Sequence, residues 1–95
     1  MPMKRERVLE ALIRESGMEA GRGAELGVMR GRVLFHLLDA FPMIHMIGVD
    51  KWERAEEYED RDMPAIGREV IAKAEDYGGR SKIIHASTVV AAAGV

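Results

Sequence analysis

Gly23-Ala24-Glu25-Leu26-Gly27-Val28-Met29-Arg30-Gly31, an amphipathic stretch, and then Met43-Ile44-His45-Met46-Ile47-Gly48-Val49-Asp50 read as strand, glycine turn, helix, strand, acid. That order is the opening half of a nucleotide-cofactor site on a parallel sheet. Backbone N–H groups of the turn face the ligand, and an acid after the second strand holds a ribose. Gly27 lets the chain turn sharply with no Cβ in the way, and Gly31 lets the new helix approach strand or ligand closely. Asp50 follows Gly27 by 23 residues and ends the next apolar strand, where a carboxylate can accept from both ribose hydroxyls. The same glycines would also serve a compact strand-to-helix turn, and the same aspartate an N-cap.

Working outward, residues 3–16 place Val8, Leu9, Leu12 and Ile13 on one helical face, with Ser16-Gly17 as the stop. The first strand spans about 23–28, Ala24, Leu26 and Val28 alternating against Glu25 and Gly27. A helix over 31–41 carries the stripe Leu34, Leu37, Leu38 and Phe41, and Pro42 ends it. Met43 to Val49 is apolar almost throughout, as in a strand covered on both faces, and Gly48 marks a close backbone approach. Residues 51–62 are charged, interrupted by Trp52 and Tyr58, and read as a flap over a cofactor or as a solvated acidic segment. Pro64 opens a helix over 64–77 with Ile66, Val70, Ile71 and Ala74 inward and Gly78-Gly79 at its end. Ser81 to Ala86 is a third strand, and Ser87 or Thr88 would cap a last helix, Val89 to Ala93. Strand, helix, strand, helix, strand predicts an α/β fold with a parallel sheet.

Composition narrows the classes. Ninety-five residues make one small domain that buries about 60–65% of its surface by size scaling. Fourteen basic against 16 acidic residues give a net charge of −2, so no overall field favours nucleic acid or an anionic membrane. Without cysteine there is no disulfide, thiolate nucleophile or cysteine-based zinc site, which fits a reducing compartment. No apolar run approaches a membrane span, and the charged start Met1-Pro2-Met3-Lys4-Arg5-Glu6-Arg7 differs from a signal peptide. A cytoplasmic protein is expected. His36, His45 and His85 lie on separate elements without ligand spacing, so no metal is expected, and the 7 methionines read as gap fillers.

The glycines are spaced G-x-x-x-G-x-x-x-G, so the dinucleotide fingerprint G-x-G-x-x-G is not met. Glu25, Gly27 and Gly31 instead resemble motif I of the class I S-adenosylmethionine-dependent methyltransferases, acid-x-Gly-x-Gly-x-Gly, with Met29 in place of the middle glycine. The chain is similar to the branch whose first motif is A-E-[LI]-G-V-x-x-G and whose second strand ends in G-V-D-x-W, here Gly48-Val49-Asp50-Lys51-Trp52. The match spans about 30 residues.

The resemblance implies a partial Rossmann-like three-layer fold, with about three parallel strands and flanking helices, as a single truncated cofactor-binding domain over residues 1–95. It implies S-adenosylmethionine as cofactor. Gly27 and the backbone of Val28, Met29, Arg30 and Gly31 would face its methionine part, with Glu25 in reach of the amino group. Asp50 would hold the ribose hydroxyls, with Lys51 and Trp52 beside ribose and adenine. Ala86 and Ser87, in the turn His85-Ala86-Ser87-Thr88, would line the adenine, although the acid common in that turn is missing. Trp52 would equally serve by packing against the following helix.

The resembled fold has a seven-stranded sheet, and this chain ends before the region that supplies part of the substrate site. The helices at 3–16, 31–41 and 64–77 would cover one face and leave the other, with the edge of strand one, open to association. The expectation is therefore a methyltransferase half acting on a small molecule, with no general base in view and with a homo-oligomer or the remainder of a longer chain completing it. A nicotinamide-dependent oxidoreductase half is disfavoured by the glycine spacing and Glu25. A non-catalytic, self-associating interaction module is the third reading.

Overall fold

The computed structural model describes residues 4–53 and 60–87. Its elements are α1 (Arg5–Ser16), β1 (Arg22–Leu26), α2 (Arg32–Ala40), β2 (His45–Asp50), α3 (Met63–Ala74) and β3 (Ser81–His85), with a 3₁₀ segment Glu75–Arg80 between α3 and β3. The expected last helix, Val89 to Ala93, and residues 54–59 of the charged stretch lie outside the described residues. The strands form one three-stranded, wholly parallel sheet in the order β1-β2-β3. This is an α/β architecture consistent with part of a Rossmann-like fold.

Local chemistry sets the ends. Gly17, at φ 73°, closes α1 in the left-handed conformation while the Met18 N–H reaches back to the Ile13 carbonyl at 3.1 Å. Asp62 caps α3 by accepting from the Ala65 N–H at 3.1 Å, and Pro64 occupies the first turn. The expected single helix over 64–77 is instead α-helix to Ala74 and then a tighter 3₁₀ turn in which Gly78 leaves helical geometry at φ 60° and ψ −140°. The tightening brings Tyr77 onto α2, where its ring stacks on Phe35 with centroids 5.5 Å apart and its hydroxyl donates to Asp39 Oδ1 at 2.7 Å. From the same turn, Arg80 Nη1 donates to the carbonyls of Leu38, Phe41 and Ile44 at 3.0–3.3 Å. A distant side chain thus supplies the donors that the C-terminal end of α2 lacks.

The core lies between the sheet and the helices. The α2 stripe is buried throughout, with Leu34, Leu38 and Phe41 at 2% exposure or less, and Met46, Ile66, Val70 and Ala74 complete it. Gly48 is where α2 meets β2: a Cβ there would stand 2.9 Å from Val28 Cγ2 and 3.3 Å from Leu34 Cδ2, so the close approach read from sequence is real. Leu9 and Ile13 of α1 and Ile83 of β3 pack against this same cluster, which places the helices on one side of the sheet.

Two apolar faces are not covered as their periodicity implies. On α1, Val8 and Leu12 are exposed although Leu9 and Ile13 are half-buried. On β1, the apolar side of the alternation is not the helix side: Gly23 and Glu25 are half-buried, while Ala24 is exposed and Leu26 is 61% exposed. Gly23 faces the core because Met46 Sδ occupies the space its Cβ would need. That parity sends Ala24 and Leu26 to the opposite face, beside Ile47 at 40% exposure.

Candidate functional site

The three strands end together. Register pairs Leu26 with Val49 and Asp50 with His85, the Gly27 N–H donates to the Val49 carbonyl at 2.8 Å, and the Ala86 N–H donates to the Asp50 carbonyl at 3.0 Å. Gly27, Asp50 and Ala86 therefore stand side by side at the carboxyl ends of parallel strands, the position at which open α/β sheets bind ligands.

The glycine turn is held in an uncommon conformation. Gly27, Met29 and Gly31 all have positive φ, at 84°, 54° and 80°. Gly27 has no heavy atom within 4 Å of where a Cβ would point, so the space above it is open. Gly31 is closed instead: a Cβ there would run into the Phe35 ring.

Asp50 braces the turn. Its Oδ2 accepts from the Met29 N–H at 2.8 Å and its Oδ1 from the Trp52 N–H at 2.9 Å. The indole Nε1 of Trp52 then donates to the Met29 carbonyl at 2.8 Å, closing a ring of three bonds. Met29 and Trp52 are the two described non-glycine residues with positive φ, the latter at 41°, and the same carboxylate holds both. Such conformations cost on the order of 1–3 kcal/mol each and persist only where surrounding contacts over-determine them. With one hydrogen bond per oxygen, the carboxylate keeps acceptor capacity for a further donor.

Trp52 is 1% exposed and packs on α3, where a Cβ on Gly67 would come within 2.7 Å of its Cγ. Of the two sequence readings, packing is the one the structure adopts, and a buried indole does not offer its face to an adenine. His85 lies edge-on to it at 5.6 Å, its Nε2 donating to the Lys51 carbonyl at 2.9 Å. Lys51 itself is exposed, and Ala86 and Ser87 are half-buried.

Beside the turn opens a cleft of about 460 Å³, within the range of small-molecule sites. Glu25, Gly27, Val28, Met29 and Arg30 line it. Gly31, Asp50, Lys51, Trp52, Ala86 and Ser87 do not, and Asp50 is tied to it by the hydrogen bond from the Met29 N–H. The other lining residues were not singled out in the sequence: Lys4, Arg5 and Glu6 at the start of α1, Arg32 and Val33 on α2, and Arg61. Their signal was present in the charge run at 4–7 and in the arginines on both sides of Gly31.

Glu25 is the unusual group of the cleft. Its Oε1 is buried and accepts no hydrogen bond. Burial pushes the carboxyl above its ordinary range, with the Asp50 charge adding to the rise, while Arg5 and the Leu34 backbone pull it back. A more apolar groove of about 350 Å³, lined by Leu9, Ile13 and Met18 among others, runs between α1 and β1. It shares Arg5 and Glu25 with the cleft but gathers fewer polar groups.

Among the described residues no three His, Asp or Glu side chains gather as a metal site, and no helix is long and apolar enough to cross a membrane. No protein-family model matches the chain, and no curated protein matches it as a relative.

Proposed function

We propose that the chain is the S-adenosylmethionine-binding portion of a methyltransferase acting on a small molecule. The observation that carries this reading is Glu25, a carboxylate on the wall of an open cleft beside a glycine turn, with one buried oxygen lacking a hydrogen-bond donor. An ammonium group at that oxygen would supply the missing donor and a directly bonded countercharge. The room above Gly27 and the turn's backbone suit the amino-acid part of such a cofactor. Asp50 fits the ribose role with its remaining lone pairs, through a carboxylate already fixed by two backbone donors. Trp52 does not fit the adenine role, which falls instead to the half-buried Ala86 and Ser87 at the adjoining strand end.

When bound, the cofactor supplies a methyl group on a sulfonium, a good leaving centre that asks little acid–base help. The residues here then act by position. Glu25 orients the ammonium, Asp50 fixes the turn and the ribose, and Gly27 keeps the approach open. The reading predicts that S-adenosylhomocysteine raises the melting temperature of the chain and that nicotinamide adenine dinucleotide does not. Protection by the dinucleotide alone would transfer the site to hydride chemistry.

One observation favours a second reading, a non-catalytic module that self-associates. Ala24, Leu26 and Ile47 form an exposed apolar strip of the sheet next to an edge of β1 that pairs with no strand among the described residues. A folded oligomer with no cofactor binding would support it.

A further inference from the structure

We infer that the methyl acceptor is a small anion carrying a phosphate or comparable dianionic group, held in the cleft beside Glu25. The inference rests on the methyltransferase reading and names the substrate class of the same site. It starts from a charge imbalance. Among the described residues, four cationic side chains, Lys4, Arg5, Arg30 and Arg32, line the cleft against the two carboxylates of Glu6 and Glu25, on a chain whose net charge is −2, while Arg61 on the same wall has a partner of its own.

Placement strengthens the argument. Lys4 and Arg5 sit at the start of α1, and Arg30 and Arg32 flank Gly31 at the start of α2. A helix N-terminus carries partial positive charge, so cations there are unfavourable unless a negative group is nearby. Neither N-cap residue supplies a side-chain cap, and on α2 the Leu34 N–H is already turned to Glu25. The side chains of Lys4, Arg30 and Arg32 make no hydrogen bond or ion pair among the described residues, and Arg5 acts on Glu25 through its charge. Two helix starts and four cations thus converge on one cavity of about 460 Å³.

The cofactor does not neutralise this field. S-adenosylmethionine carries a sulfonium and an ammonium against one carboxylate, so it brings a further positive charge. An anionic acceptor balances both the cleft and the sulfonium, and its charge is better matched before methyl transfer than after. A polynucleotide fits less well, because the cations are confined to one cleft and do not form a stripe along a surface.

The test is a calorimetric titration of the full chain with inorganic pyrophosphate at low ionic strength, alone and with saturating S-adenosylhomocysteine. Expected is one saturable site, occupied together with S-adenosylhomocysteine and weakened about tenfold or more in the double variant K4Q/R32Q. These substitutions remove cations from helix N-termini, so they do not threaten the fold. R68Q, an exposed arginine of α3 away from the cleft, should leave binding unchanged. Absence of saturable binding, an equal loss in R68Q, or strict competition with S-adenosylhomocysteine would overturn the inference, the last by showing that the cations hold the cofactor's own carboxylate. Stronger binding of a short single-stranded RNA than of pyrophosphate would overturn the small-molecule assignment. Bound S-adenosylhomocysteine without pyrophosphate sinks this inference alone; pyrophosphate without S-adenosylhomocysteine sinks the methyltransferase reading and, with it, the acceptor role.

Discussion

Asp50 holds two left-handed backbones with one carboxylate, which gives its substitutions a sharper expectation than loss of a ribose contact. Asp50→Ala removes the acceptors for the Met29 and Trp52 N–H groups and should cost about 2–4 kcal/mol in urea unfolding. Asp50→Asn should lose about half as much, since its amide oxygen still serves one of the two donors. Trp52→Phe deletes only the indole bond to the Met29 carbonyl, and its effect should be non-additive with Asp50→Ala because the three bonds close one ring. Additive costs would show that the ring does not act as a unit. Glu25 predicts the opposite sign. One oxygen of its half-buried carboxylate lacks a hydrogen bond and is costly when ionised, so Glu25→Gln should stabilise the chain at neutral pH by up to about 1 kcal/mol, allowing for its partial exposure. Its folded value is raised, so wild type recovers stability as pH falls through that value, and the gap to Glu25→Gln should narrow on acidification. A gap that widens would place the cause elsewhere. Under the proposed function, the same substitution should weaken cofactor binding, a stability–activity exchange.

Helix ends are fastened by side chains from other elements, and these ties were the least legible part of the sequence. The α2 stripe could be read directly because Leu34, Leu37, Leu38 and Phe41 share one face of one helix, and all four are buried. Nothing in local spacing announces that Arg80 reaches three carbonyls at the end of α2, since that contact exists only after the crossover has folded. Arg80→Met should therefore cost about 1–3 kcal/mol by thermal or urea unfolding, well above an ordinary exposed arginine; a change below 0.5 would contradict the assignment. The shortening of α3 to Ala74 has the same origin, because the pull of Tyr77 toward Asp39 and Phe35 is tertiary. Burial and the Asp39 partner push the Tyr77 hydroxyl up to about 12, so the stability it contributes is complete below pH 10 and is lost as pH rises toward that value. Between α1 and α2, Glu10 accepts from His36 at 2.6 Å, which holds its carboxyl below 4.5. That contribution is present above pH 4.5 and is lost as pH falls through the lowered value.

Taken together, the α/β class, the parallel sheet and the convergence of Gly27 with Asp50 followed from apolar runs and glycine placement, because both are set by local periodicity and by the crossover rule. The parity of β1 did not follow. Alternation shows that Ala24 and Leu26 share a face, whereas the choice of face depends on Met46 needing the space beside Gly23. The cationic cleft escaped for a similar reason, its members coming from the starts of two helices. Among the described residues, Ala24, Leu26 and Ile47 leave apolar surface exposed on the sheet. If it drives association, Leu26→Lys should lower the mass measured by light scattering at micromolar concentration, and a wild-type monomer would remove that reading. The central claim is the cofactor site, and calorimetric titration of the 95-residue chain with S-adenosylhomocysteine reaches it most directly. The account predicts saturable single-site binding that is lost in Gly27→Val, where a branched side chain enters the open space at φ 84°. No binding by a sample whose circular dichroism shows it folded would contradict it.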